Sequence, residues 1–251
     1  MKKTLFIADL HLSDNRPDIT QCFIHFLSSI DTKNTDKLFI LGDLFEAWVG
    51  DDDDNQFTRT VANAIKSVRE QGVPVFFIHG NRDFLIRQQY AHQCGMELLP
   101  EQQVIDLYGT PTLILHGDEL CTRDVAYQKF RKKARGWWWP RLVLWLPLKK
   151  RKEIAQKGRE TSKKNQQALS ADIMDVTPEE VLNYLDKFAV KQMIHGHTHR
   201  PAIHNITTHN GEAAKRIVVG DWYEQGSVLT VTKEGMTLAN LPFQEVTDHP
   251  A

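Results

Sequence analysis

Apolar residues follow two rhythms along this chain. Five short, almost unbroken apolar runs each close on a polar cluster: TLFIADLH (4–11), LFILGD (38–43), VFFIHGNRD (75–83), LILHGD (113–118) and MIHGHTH (193–199). Runs of that length ending in Gly, Asp, Asn or His predict buried strands that pass into loops. Between several of them the apolar spacing changes to three and four residues. ITQCFIHFLSSI (19–30) and FTRTVANAIKSVREQG (57–72) predict amphipathic helices, the second stopped by Gly72 with Pro74 just beyond. TPEEVLNYLDKF (177–188) predicts a third, with Thr177 as N-cap, Pro178 at the first helical position and acids in the first turn. Strands alternating with helices predict an α/β fold. After His199, RIVVGDW (216–222) and SVLTVT (227–232) predict a β meander that closes a sheet.

The rhythm breaks between His116 and His197. From Asp124 to about Asp175 the pattern is mostly helical and strongly basic, which predicts a cap (124–175) inserted into a core made of 1–123 and 176–251. Hydrophobic residues make up 41% and charged residues 25%, enough for a packed core and inconsistent with global disorder. The net charge of −1 hides a polarity: residues 131–164 carry 13 Lys and Arg against two acids. Such a field implies an anionic partner, whether a phosphate-rich ligand, an anionic membrane surface or nucleic acid. Within it, RGWWWPRLVLWLPLKKRK (135–152) holds four of the six tryptophans. The piece is shorter than the ~20 apolar residues of a spanning helix. Arg141 interrupts it and Pro140 and Pro147 bend it, while Trp flanked by cations is an interfacial pattern. Its run Val143, Leu144, Trp145, Leu146 and Leu148 is expected to line an apolar groove or meet lipid, ordinary packing of the cap being the alternative.

The start MKKTLFIADLHL looks like a leader for a few residues, then is broken by Asp9 and His11. Cys22, Cys94 and Cys121 are far apart and form no CxxC pair, which fits a reduced, cytosolic setting. GDDDDN (50–55) predicts a solvated loop that caps the following helix.

The polar residues at the strand ends form a set. Asp9 and His11 are two apart, so in an extended backbone they share a face. Asp43, Asn81 and His116 each follow a separate run, and His197 and His199 repeat the two-residue spacing after the last. Ligands in α/β sheets gather at the carboxyl ends of strands. Two carboxylates, one amide oxygen and four imidazoles would meet there, a mixed N/O set that suits Mn²⁺, Fe or Zn²⁺ better than Ca²⁺. Seven donors exceed the need of one ion, and a bridging carboxylate lets them serve two. Taken singly, D-x-H, a His at a strand end and a G-D turn are usually structural. Their co-occurrence in this order, each at a strand end, points to a metal centre.

At these residues the chain resembles the calcineurin-like metallophosphoesterases, whose D-x-H, G-D, G-N, H and G-H-x-H blocks come in this order. The stretches TLFIADLHL, LFILGDLFEAWVGDDD, FIHGNRDF, LILHGDELCTRD, IMDV and HGHTHRP extend the resemblance to one branch of that family, over most of the chain to about Phe243. The resemblance implies a four-layer α/β/β/α sandwich with a helical cap insertion. It implies a centre of two Mn²⁺ ions, one held by Asp9, His11 and His199, the other by Asn81, His116 and His197, with Asp43 bridging. It implies water attack on the α-phosphorus of a UDP-linked diacylated glucosamine, a step of lipid A biosynthesis that yields UMP and a sugar 1-phosphate. The substrate would be met by Asn81, Arg82 and His197 and, from the cap, by Asp124, Ser162 and Gln166. Leu169 stands where relatives commonly carry Lys; Lys163 or Lys164 could replace that contact, with a solvated helix face as the plain alternative. The cap is expected to touch an anionic membrane surface, placing the protein on the cytoplasmic face of the inner membrane.

Arg82 carries a chemical argument of its own. Many members of that family place a His after Gly-Asn, able to protonate a leaving group. Arginine stays charged and grips phosphate, but donates no proton usefully. A phosphate leaving group, with a second pKa of ~6, needs little protonation, whereas an alkoxide needs much more. Arg82 therefore favours a pyrophosphate over an ordinary ester, the alternative being a structural pair with Asp83. Two rivals stand beside this reading. A metal-dependent nuclease would use the basic, aromatic stretch for nucleic acid, but Arg82 and the aliphatic run argue against a nucleic-acid partner. A binding module that has lost catalysis would usually have lost ligands, and all seven stand. His79 and His195 are either groups that orient ligands or packed structural residues, and His25, His92, His204, His209 and His249 read as structural.

Overall fold

Alternate residues within the apolar runs face different layers, which is why the runs are nearly continuous. A computed structural model describes residues 1–168 and 175–243, the side chains of 162–168 excepted. Its strands are β1 (Lys3–Ile7), β2 (Thr35–Ile40), β3 (Val75–Phe77), β4 (Met96–Leu98), β5 (Gln102–Leu107), β6 (Thr110–Leu115), β7 (Gln192–His195), β8 (Ala202–Thr207), β9 (Ala213–Val218), β10 (Gly226–Thr232) and β11 (Met236–Leu241). They form a six-stranded sheet, β11-β10-β1-β2-β3-β4, and a five-stranded sheet, β5-β6-β7-β9-β8.

Phe6, Phe39, Ile114, Ile194 and Ile217 fill the space between the sheets. Their neighbours Leu5, Ile7, Leu38 and Ile40 face outward, into a core shared with α1 (Pro17–Ser28), α2 (Gln56–Glu70) and α3 (Gln88–Cys94). On the far side, Leu113, Leu115 and Met193 pack against Val181 and Leu185 of α7 (Pro178–Lys187). The result is the four-layer α/β/β/α sandwich. Each fully buried Phe, Leu or Ile contributes about 1.5–3 kcal/mol, so the period-two pattern both sorts and stabilises the layers.

Local signals explain the helices, with one departure. Asn55 caps α2 through a capping box with Thr58. Thr177 precedes α7 but makes no side-chain cap; its hydroxyl instead accepts from Thr122 at 2.8 Å. The expected closing meander is also corrected. β9 runs parallel to β7 in the second sheet, while β10 crosses over to pair with β1 in the first. Both segments carry short apolar runs, Ile217–Val219 and Val228–Leu229, and such runs carry no information about which sheet receives them.

Between β6 and α7 lie α4 (Val125–Ala134), α5 (Trp139–Trp145) and α6 (Leu148–Ala168). Val143 and Leu144 of α5 pack on the core of the first sheet, whereas Trp145 is 91% exposed and Trp137 78%. The acidic loop is more than a solvated cap. Asp52 pairs with Arg151, which is only 4% exposed and also donates to the Val49 carbonyl at 2.6 Å, and Asp53 holds Lys152 at 2.7 Å. Asp51 accepts from the Trp48 indole and from the amides of Arg87 and Tyr90, tying down the start of α3. The loop thus anchors the basic helix to the sandwich.

Candidate metal centre

All the strands that supply candidate ligands stop short of them. β1 ends at Ile7 and β7 at His195, so Asp9, His11, His197 and His199 lie in loops and not on extended backbone. The expectation of a shared strand face is therefore corrected. Asp9, His11, Asp43, His197 and His199 instead have φ of 54°, 51°, 51°, 68° and 55°. A non-glycine residue in that left-handed region is strained by roughly 1 kcal/mol or more, and persists only where its surroundings over-determine it. They do so here. The amides of Asp9 and His11 donate to the carbonyls of Gly42 and Asp43 at 3.0 and 2.9 Å. The His197 amide donates to Asp9 Oδ2 at 2.7 Å, and the Arg82 amide to Asp43 Oδ1 at 2.8 Å. A Cβ on Gly80 would overlap Asp43 Oδ1, and one on Gly196 would overlap Asp9 Oδ2, which accounts for glycine in the G-N and G-H pairs.

The loops bring the set together. Ligand atoms of Asp9, His11 and His199 lie within 4.8 Å of one another, as do those of Asp9, Asp43 and His116. Asp43 sits between the two sides, with Oδ2 3.8 Å from His11 Nε2 and Oδ1 3.8 Å from His116 Nε2. Asn81 Oδ1 is 3.0 Å from His116 Nε2, and the His197 ring stands 5.0 Å from that of His116 at 66°.

In three of the four imidazoles the opposite nitrogen faces a carbonyl or carboxylate. His116 Nδ1 lies 2.8 Å from the Leu41 carbonyl, which turns Nε2 toward the pocket. His11 Nδ1 lies 3.1 Å from Glu46, and His199 Nδ1 3.5 Å from Asp221. Tyr223 stacks on His11 at 5.0 Å. Glu46, Asp221 and Tyr223 were missed by the sequence reading. A carboxylate three residues after Asp43, and G-D repeated in VVGDW, were the signals available.

Burial pushes the Asp9 carboxyl up, but His199 beside it and the charges of His116 and His11 outweigh that and hold it below the usual carboxylate range. Burial lowers His116, yet the carboxylates of Asp43, Asp9 and Asp118 bring it up to about 9. Burial and the His116 charge push His197 down to about 3. A proton on His116 thus balances the same buried carboxylates that a divalent cation would. Asp9 Oδ1 is buried without a hydrogen-bond partner among the described residues. A buried, unpartnered carboxylate oxygen amid imidazoles fits a divalent ion. Burial pushes His79 and His195 to about 4; their ring hydrogen bonds go to the carbonyls of Ile86 and Gly196, so both are neutral packed residues.

Residues 2–201 match the family described as calcineurin-like phosphoesterase. The chain belongs to that family. Curated relatives include proteins named UDP-2,3-diacylglucosamine hydrolase from Photobacterium profundum (51% identical, covering 96% of this chain and 98% of the relative), Shewanella halifaxensis (54%, 96% and 99%) and Enterobacter sp. (50%, 96% and 99%).

In this calcineurin-like phosphoesterase, Arg82 makes no pair with Asp83 among the described residues. The Asp83 oxygens accept from the amides of Leu44 and Gly80, and burial followed by the Asp43 charge pushes that carboxyl up to about 7. Arg82 Nε is buried with no partner among the described residues. Asp124 is the N-cap of α4, accepting from the Tyr127 amide at 2.9 Å. Ser162 and Gln166 lie on α6, and Lys163 and Lys164 beside them. The side chains of these four, and Leu169, lie outside the described residues, as does His249.

Proposed function

We propose that the protein hydrolyses the pyrophosphate bond of UDP-2,3-diacylglucosamine at the α-phosphorus, giving UMP and 2,3-diacylglucosamine 1-phosphate, in lipid A biosynthesis. The observation that carries this reading is 50–54% identity to proteins of that name over 96% of the chain. Asp9, His11 and His199 would hold one divalent ion, Asn81, His116 and His197 the other, and Asp43 both; manganese is the ion we assign. Two such ions supply an activated water and neutralise charge on the phosphoryl oxygens. The position of Asp43, with one oxygen toward each side, supports the bridging role.

The chain's own groups would do the rest. Arg82, fixed through its amide to Asp43 and with its Nε unpartnered, grips the diphosphate. It offers no proton, which suits a phosphate leaving group. Asn81 and His197 contact the phosphate from the centre. Residues 124–175 form the cap over a core of 1–123 and 176–251, with Asp124, Ser162 and Gln166 on the sugar phosphate. Exposed Trp137, Leu142 and Trp145 support contact of this cap with acyl chains and an anionic membrane surface, on the cytoplasmic face of the inner membrane. No described helix is long and apolar enough to cross a membrane.

With Mn²⁺ present, purified protein is expected to release UMP from the diacylated UDP-glucosamine and to leave single-stranded DNA intact. Degradation of the DNA without UMP release would replace this reading with that of a nuclease.

A further inference from the structure

Tyr127, Arg131 and Arg135 fall at four-residue spacing along α4 and its C-cap, so they form one stripe. Together they reach the three loops that carry Asn81, His116 and His197. Arg135 donates through one nitrogen to the carbonyls of His79 and Gly80, at 3.2 and 2.9 Å, the two residues just before Asn81. Arg131 Nε donates to Asp118 at 2.8 Å, and the Tyr127 hydroxyl donates to the same oxygen. Asp118 follows His116 by two residues and is 0% exposed. The Tyr127 ring lies 6.2 Å from the His197 ring at 27°, nearly parallel to it. Glu101 then ties the two arginines to each other, at 2.6 Å from Arg131 and 3.3 Å from Arg135. No hydrogen bond or ion pair runs from the stripe to Asp9, His11 or His199 among the described residues.

We propose that this stripe of α4 positions the Asn81, His116 and His197 loops, so that the helix sets the affinity of the second ion and leaves the first alone. The inference rests on the two-ion reading above. Its physical basis is that a metal ligand is only as well placed as the groups behind it. The first side has carboxylates from the sandwich itself behind its imidazoles. On the second side the Leu41 carbonyl holds the His116 ring and backbone amides tie His197 to Asp9 and Gly80 to Asp83, while the cations that reach Asp118 and the His79 and Gly80 carbonyls are those of the stripe. A buried Asp118 also needs its cations, because a carboxylate removed from water without a partner is strongly unfavourable. Loss of either arginine would therefore let the His116 turn shift. Tyr127, Arg131 and Arg135 are positioning residues, acting through the ligands and not on the substrate.

The test is a two-step Mn²⁺ titration of the metal-stripped, full-length protein, followed calorimetrically and by the spin-coupled signal of the ion pair. Wild type is expected to take two ions. Arg135→Met is expected to weaken the second by about tenfold or more while the first changes less than about twofold. Arg135→Lys, which keeps the charge on a single donor nitrogen, should recover part of the loss. Tyr127→Phe keeps the ring on His197 and removes only the hydroxyl to Asp118, so it carries the test even if Arg135→Met does not fold; a smaller weakening in the same direction is expected. Equal weakening of both ions, or an unchanged second ion in the variants that fold, would overturn the proposal. A wild type that takes a single ion would overturn the two-ion reading itself, and the proposal with it.

Discussion

On the Asp9, His11 and His199 side of the candidate centre, carboxylates from the sandwich stand behind the imidazoles; on the Asn81, His116 and His197 side, side chains of α4 reach the loops that carry them. Glu46 and Asp221, both part exposed, lie at the first side, and His199 itself is 32% exposed. On the second side Asp118 and His116 are buried, beneath Tyr127, Arg131 and Arg135. The difference teaches where each half comes from. The first is built from the sheets and their loops, while on the proposal above the second depends on the segment that would also meet the substrate. Asp43 stands between them, with one oxygen toward each.

The largest effect is therefore expected at Asp43. Asp43→Ala should lower kcat on the order of a thousandfold or more, with metal content falling on both sides, read by steady-state kinetics and elemental analysis. Substantial activity with full metal content would break the claim that this carboxylate joins the two halves. Phe39→Ala serves as the contrast in the sandwich. It opens a cavity between the sheets and should cost about 3–5 kcal/mol in denaturant unfolding while metal affinity in the folded protein stays unchanged. Next, Glu46→Gln and Asp221→Asn should each weaken the first ion by about 10–100-fold, reversed by excess Mn²⁺, with the second ion unaffected. Loss of the second ion in these variants would erase the distinction between the halves.

The smallest effects concern the basic run. Its cations are not equivalent: Arg151 and Lys152 are engaged by Asp52 and Asp53, and Lys150 by the exposed Glu153 at 3.0 Å. Lys149→Gln together with Lys150→Gln should weaken association with anionic vesicles by about 1 kcal/mol per charge. Lys152→Gln should weaken it less, because Asp53 already holds that charge. Equal effects in a sedimentation assay would mean that the acidic loop does not mask the run.

Much of this architecture was legible in the chain. The continuous runs at Leu5–Ala8 and Leu38–Leu41 announced strands buried on both faces, and the polar residues after them announced the centre. What stayed hidden depended on tertiary placement. Asp9 and His11 do meet, as their spacing predicts, but through left-handed loop backbone and not an extended strand, and only the interlocking of the loops selects that path. The short β4 and the half-polar β5 offered weak patterns, and the partner sheet of β9 is decided by packing. The acidic run 51–54 read as solvated because its cations, Arg151 and Lys152, lie about a hundred residues away. Glu46 and Asp221 left only faint signals for the same reason: a carboxylate behind an imidazole has no fixed sequence offset.

The reaction itself is tested most directly by the fate of solvent oxygen. A single turnover of UDP-2,3-diacylglucosamine in ¹⁸O water, analysed by mass spectrometry, should place the label in UMP, as attack at the α-phosphorus requires. Label in the sugar 1-phosphate would contradict it.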